Sequence, residues 1–194
     1  MVNKVSHSSV WDLPWGETRK VKNNYNEAEI VFEDNGNNET GSLVFRAFND
    51  GIAFRYYIKS VPNSKDSIII TDEVTQFRLV EDADLWWTPA YTDNRYEHLY
   101  TKSTVSDMDT SHTPITIKYK NGMHLSIHEA SLINYSSMQL LSDKNTLICD
   151  LAPWANGDKV RTKLPFETPW RTIIIVEKAK DLLINHILQK FSLL

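Results

Sequence analysis

Cysteine is nearly absent from this 194-residue chain: Cys149 stands alone. A disulfide framework and a cysteine-based zinc site are both excluded. The lone thiol reads as a small buried hydrophobe on a strand. No apolar run reaches the roughly 18 residues of a membrane-spanning helix. The opening MVNKVSHSSVWDLPWG lacks the apolar stretch of a secretory leader. The net charge of −4 is mild, and the Lys and Arg residues are scattered rather than striped, so no nucleic-acid footprint is present. G-x-S-x-G, Walker, H-E-x-x-H and EF-hand sequences are missing, and so are internal repeats and low-complexity tracts.

What remains is a chain rich in Trp and Tyr, cut into short alternating runs by turn residues. At this length one sizeable core can form. The pattern predicts a single all-β domain over 1–194, a large antiparallel β-sandwich. Residues 10–22 read as irregular at first, with Pro14 and Gly16 as breakers. Strands are expected at 25–32, 42–48, 52–58, 68–70, 74–80, 131–141 and 146–151. Residues 153–169 read as a long connection. The near-continuous apolar run 170–177 reads as a central strand buried on both faces. Leu183, Ile187 and Phe191 repeat at four residues, which predicts an amphipathic C-terminal helix over 178–194.

The stretch 115–135 organises the rest. Two alternating runs flank Asn121-Gly122, a hairpin signal that predicts a type I′ turn. Beyond the turn, Met123, Leu125 and Ile127 share one face, and His124, Ser126 and His128 the other. The two histidines are four apart on a strand, about 13 Å, too far to share one zinc ion. Counting on by two places Glu129 on the apolar face. A carboxylate there must leave the sheet, find a partner or bear a large desolvation cost. Three readings follow: a solvated strand end, a general base, or one ligand of a metal site. A calcium site would need further carboxylates from elsewhere.

Residues 84–100 (DLWWTPAYTDNRYEHLY) form the second informative stretch. Trp86, Trp87, Tyr91, Tyr96 and Tyr100 are interleaved with Asp93, Arg95, Glu97 and His98. Rings that stack on sugar CH faces, beside groups that pair with hydroxyls, suit a carbohydrate surface. The competing reading is an aromatic edge loop packed on the sandwich.

The runs WGETRKVKNNYNE (15–27), GSLVFRAFNDGIAFRY (41–56), HLSIHEASLINYSSM (124–138) and TPWRTIIIVEKAKDLL (168–183) resemble the N-terminal domain of glycoside hydrolase family 97. The resemblance covers about 15–183, in the right order. It implies a galactose-mutarotase-like β-sandwich preceding a (β/α)8 barrel, and a parent enzyme that hydrolyses α-glucosides or α-galactosides with calcium. It implies that the glutamate of I-H-E-A-x-L, here Glu129, helps ligate that calcium. It also implies export to the bacterial periplasm. The family has further strands before W-G-E, which this chain is expected to lack, so the sandwich should be truncated there. The resemblance implies that the carboxylates that perform hydrolysis belong to the barrel, which this chain is expected to lack.

The leading expectation is therefore a non-catalytic sandwich domain. In a parent enzyme it would border the cleft for an α-linked oligosaccharide and donate Glu129 to calcium, with no nucleic-acid or membrane partner. Trp86, Trp87, Tyr91, Tyr96, Glu97 and His128 are the expected substrate-side residues. Glu129 is expected on an open rim, partly solvent-reachable. Two rivals stand beside this: a free carbohydrate-binding module using the aromatic stretch, and a mutarotase-like epimerase with Glu129 as base and His98 or His128 as acid.

Overall fold

A computed structural model describes residues 2–14, 16, 18–62, 67–91 and 97–191. The described strands are β1 (Val2–Asp12), β2 (Lys20–Glu33), β3 (Glu39–Phe48), β4 (Gly51–Ile58), β5 (Ser67–Ile70), β6 (Gln76–Arg78), β7 (Asp84–Trp87) and β8 (Thr101–Thr104). They continue as β9 (Ser111–His112), β10 (Ile115–Lys118), β11 (His124–Ala130), β12 (Met138–Asp143), β13 (Thr146–Leu151), β14 (Val160–Lys163), β15 (Phe166–Glu167) and β16 (Trp170–Val176). A short helix, α1 (Ala179–Leu183), and a 3-10 turn at Leu188–Phe191 close the chain.

The central hairpin is β10–β11, with Ile115 opposite Ile127 and Lys118 opposite His124. Its turn departs from type I′: Gly122 has φ 89, but Asn121 is not in the left-handed region. Gly122 N–H donates to Tyr119 O, Tyr119 N–H to Met123 O, and the Asn121 side chain accepts from Met123 N–H. This is a three-residue loop, in which only the last position needs positive φ. The apolar parity survives: Leu125, Ile127 and Glu129 face the core.

Around this hairpin the strands assemble, in the order β1-β2-β3-β4-β16-β11-β10-β7-β8, into one large antiparallel sheet. A four-stranded sheet, β6-β13-β12-β9, covers its inner face, and β5 pairs with β14 alongside. The core between the sheets contains Leu85, Ile115, Ile117, Ile127, Met138, Leu140, Leu147 and Leu151. The chain is thus a β-sandwich, as its alternation predicts. β16 is central, between β4 and β11.

A second cluster lies on the outer face of the large sheet, where Ile187 and Phe191 of the C-terminal segment cover Ala53, Ala130, Trp170 and Ile174. Gly51 permits this approach: a Cβ there would lie 2.2 Å from Ile173 O and 2.7 Å from Ile187 Cδ1.

Four expectations need correction. Residues 10–12 are not irregular; they end β1, which runs antiparallel along β2, so a strand does precede the W-G-E segment. Residues 131–137 form a loop, with Ser131 and Asn134 at positive φ, and β12 begins only at Met138. The connection 153–169 contains β14 and β15. The C-terminal helix stops at Leu183, because the Asn185 side chain captures Ile187 N–H and Asp50 and redirects the chain. The apolar repeat therefore splits: Leu183 is exposed, while Ile187 and Phe191 are buried.

Candidate functional site

Glu129 is the penultimate residue of β11, directly opposite Arg171 of β16. Both lie on the inner face, so register alone sets a carboxylate beside a guanidinium. Arg171 Nη1 donates to Glu129 Oε2 at 2.6 Å. Arg171 Nε and Nη2 hold the two oxygens of Glu73 at 2.9 and 2.6 Å. Thr75 donates to Glu73 Oε1 and Tyr135 to Glu73 Oε2. The second Glu129 oxygen accepts the Met138 N–H at 3.1 Å. Arg171 is fully buried, and Glu129 is 8% exposed.

The two carboxylates share one cation unequally. Burial pushes Glu129 above the usual carboxylate range, and the single contact to Arg171 with the Met138 N–H offsets this only in part. Burial acts on Glu73 as well, yet the paired hydrogen bonds and charge of Arg171, with Thr75 and Tyr135, hold it below that range. Burial and the neighbouring Glu73 raise Tyr135, and burial raises Cys149, the unreactive buried thiol expected.

The expected open position of Glu129 is therefore corrected. Its alternation carried it into the core as counted, and Arg171 is the partner that resolves the conflict. The residues around it do not fit calcium. Both oxygens are committed within the domain, and a buried guanidinium sits where a cation would.

The remaining candidates divide among separate places. Trp87 is a core residue, 6% exposed, with its indole N–H on Ser103 Oγ at 3.0 Å, so it does not present a stacking face. Trp86 lies on the outer face, half-buried, with Lys102 Nζ 5.1 Å from its ring centre. Trp86, Thr116 and Ser126 are paired across three strands. His128 shares that outer face, its Nδ1 3.0 Å from Thr113 Oγ1, and burial lowers its pKa. His128 and Glu129 thus point to opposite faces of the sheet and cannot act as an acid–base couple on one sugar. Tyr91 is exposed and donates to Asp150 of β13 at 2.9 Å. Glu97 is exposed. Tyr96, Asp93 and Arg95 lie outside the described residues.

Arg171 and Glu73 went unread in the sequence. Arg171 left a signal: a lone charge at the second position of WRTIIIV, on the parity of Ile173 and Ile175. Glu73 left none, since it sits in an irregular segment where no period applies.

The fold and this buried triad can be set against known proteins. A family model described as Glycosyl-hydrolase 97 N-terminal matches residues 2–192. The chain belongs to that family. A glycoside hydrolase family 97 enzyme from Pseudoalteromonas sp. strain K8, solved with acarbose, superposes with TM-score 0.87 at 37% identity, over 94% of this chain and 28% of that one. A retaining α-galactosidase of Bacteroides thetaiotaomicron is 24% identical over 87% of this chain and 29% of its own length. The crystal structure of a β-arabinopyranosidase shares the fold, with TM-score 0.79 at 21% identity. The family 97 N-terminal domain seen here spans less than a third of the length of these relatives. Their larger part lies outside the matched region.

Proposed function

We propose that this domain is the non-catalytic sandwich of a family 97 glycoside hydrolase, which borders a cleft for an α-linked oligosaccharide completed by a catalytic (β/α)8 barrel. One observation carries the reading. Glycoside hydrolysis needs two carboxyl groups that reach the scissile bond. The buried pair that this fold brings together, Glu73 and Glu129, is clamped by Arg171 and withheld from any substrate. The same clamp removes Glu129 from the epimerase reading.

The cleft-facing residues in this proposal are Trp86 and His128, which share the outer face of the large sheet. A solved relative binds acarbose and another is a retaining α-galactosidase, which supports an α-glycoside substrate class. Calcium in a longer enzyme would be held by donors other than Glu129. The test is a domain exchange: this chain replaces the corresponding domain of the Pseudoalteromonas enzyme. Hydrolysis above that of the catalytic part alone, with KM raised by Trp86→Ala or His128→Ala, is expected. A folded chimera no more active than the catalytic part alone contradicts the proposal.

A further inference from the structure

Three Asn-Gly pairs stand in the chain, at 35–36, 121–122 and 156–157. In such a pair the asparagine side chain can close on the nitrogen of the next residue, because glycine has no Cβ to hinder the approach. Closure needs a side chain free to turn toward that nitrogen. It also needs a nitrogen that can give up its proton. The fold supplies these conditions unequally.

Asn121 sits in the β10–β11 turn, where its Oδ1 accepts Met123 N–H at 3.0 Å and Gly122 N–H donates to Tyr119 O. Asn156 is held through both of its side-chain polar atoms. Its Nδ2 donates to Asp158 Oδ2 at 3.1 Å, its Oδ1 accepts Asp158 N–H at 3.3 Å, and Gly157 N–H donates to Trp154 O. Gly122 and Gly157 both have φ 89, so each of these turns requires glycine for its backbone.

Asn35 differs on each point. It is exposed in the polar loop between β2 and β3, and among the described residues its side chain makes no hydrogen bond. Its neighbours hold the loop instead: Asp34 N–H donates to Asn38 O, Asn37 N–H to Asp34 O, and Asn38 N–H to Asp34 Oδ1. Gly36 is not at positive φ, so the backbone does not demand glycine there. Its N–H donates at 2.8 Å to Asp34 Oδ1, a carboxylate rather than a backbone carbonyl. A positioned carboxylate is a base for the proton that the attacking nitrogen must lose.

We infer that Asn35 is a site of spontaneous covalent modification, deamidating through a cyclic imide with Gly36 ahead of the other two pairs. The Gly36 nitrogen bonds to Asn35 Cγ. The Cγ–Nδ2 bond breaks, and Nδ2 leaves as ammonia with the proton that Gly36 gave up. Water then adds to the imide and opens it on either side, leaving an aspartyl or an isoaspartyl residue. No oxidant or reductant is needed, and water is the sole co-reactant. Either product places a new negative charge beside Glu33, Asp34 and Glu39. The isoaspartyl product also lengthens the loop backbone by a carbon.

The purified chain Met1–Leu194 is incubated in mildly alkaline buffer and followed by isoelectric focusing and peptide mass mapping. Isoaspartate is read as methyl transfer from S-adenosylmethionine by a protein-isoaspartate methyltransferase. Short synthetic peptides spanning each Asn-Gly pair give the unrestrained rates. A first acidic species should accumulate, with its conversion at Asn35. Asn35 should keep pace with its peptide, while Asn121 and Asn156 lag behind theirs. Asn35→Gln should abolish the first acidic species. Gly36→Ala should do the same, and its added methyl meets only side-chain ends, Asn38 Nδ2 at 3.0 Å and Asp34 Oδ1 at 3.3 Å. Circular dichroism establishes that each variant is folded; should Gly36→Ala not fold, Asn35→Gln carries the test. An Asn35 still intact when its peptide has reacted overturns the inference. Conversion that begins at Asn121 or Asn156 overturns it too, and so does a first acidic species that persists in Asn35→Gln.

Discussion

Arg171 faces Glu129 across the β16–β11 pair, and the two are joined by a charged hydrogen bond of 2.6 Å inside the sandwich. The same guanidinium grips Glu73 of the irregular segment before β6 with two further bonds. One side chain thus ties two strands of the large sheet to a loop of the covering layer. Breaking a buried pair by removing one partner costs about 3–5 kcal/mol, because an uncompensated charge stays behind. Arg171→Leu leaves two carboxylates without a cation. Urea denaturation should show a loss of at least that size. Glu129→Gln, which keeps an acceptor for the Met138 N–H, should lose less.

The triad also sets a pH signature with two opposed parts. Glu73 has a lowered folded pKa, so its contribution is present above the unfolded value of 4.5 and is lost as pH falls through the folded pKa. Glu129 has a raised folded pKa, so its contribution is fully present below 4.5 and is lost as pH rises through the folded pKa. The two windows meet at 4.5 without overlapping: on acidification Glu129 adds stability above that value, and Glu73 takes it away below. Glu129→Gln removes the gain above 4.5 and leaves the fall below it. Denaturation midpoints measured from pH 7 to pH 3 on both proteins check this.

Gly51 offers a test of the C-terminal seat. A methyl group there would meet Ile173 O and the Ile187 side chain, and the first is backbone that cannot move aside. Gly51→Ala should cost about 1–3 kcal/mol, as overpacking does. The loss should be accompanied by faster hydrogen exchange at Ile187 and Phe191.

Strand β1 forms the edge of the large sheet and is exposed along almost its whole length, including Val2, Val5 and Val10. An exposed apolar edge is a template for another strand. Sedimentation velocity should reveal concentration-dependent self-association of the chain. Val5→Lys, placing a charge on the edge, should reduce it.

Much of the sandwich was legible because alternation is a local signal. The β10–β11 and β3–β4 hairpins and the inward parity of Glu129 follow from counting by two, and the central position of β16 from its near-continuous apolar run. The partner of Glu129 was not legible, because Arg171 lies 42 residues away and meets it only through sheet register. The C-terminal helix failed for a related reason: its apolar repeat fits a helix, but Asn185 bonds to Asp50, 135 residues earlier, and ends it. Of the aromatic stretch, the sequence identified the residues but not their faces; Trp86 and Trp87 are adjacent, and one faces out while the other is core.

On the function proposed above, the isolated domain hydrolyses no glycoside. The measurement is release of nitrophenol from p-nitrophenyl α-glucoside and α-galactoside by the purified chain Met1–Leu194, with and without added calcium. The account predicts rates equal to the buffer background for the wild type, Glu129→Gln and Glu73→Gln alike. Turnover that survives repurification and disappears in a folded Glu129→Gln or Glu73→Gln variant would contradict it.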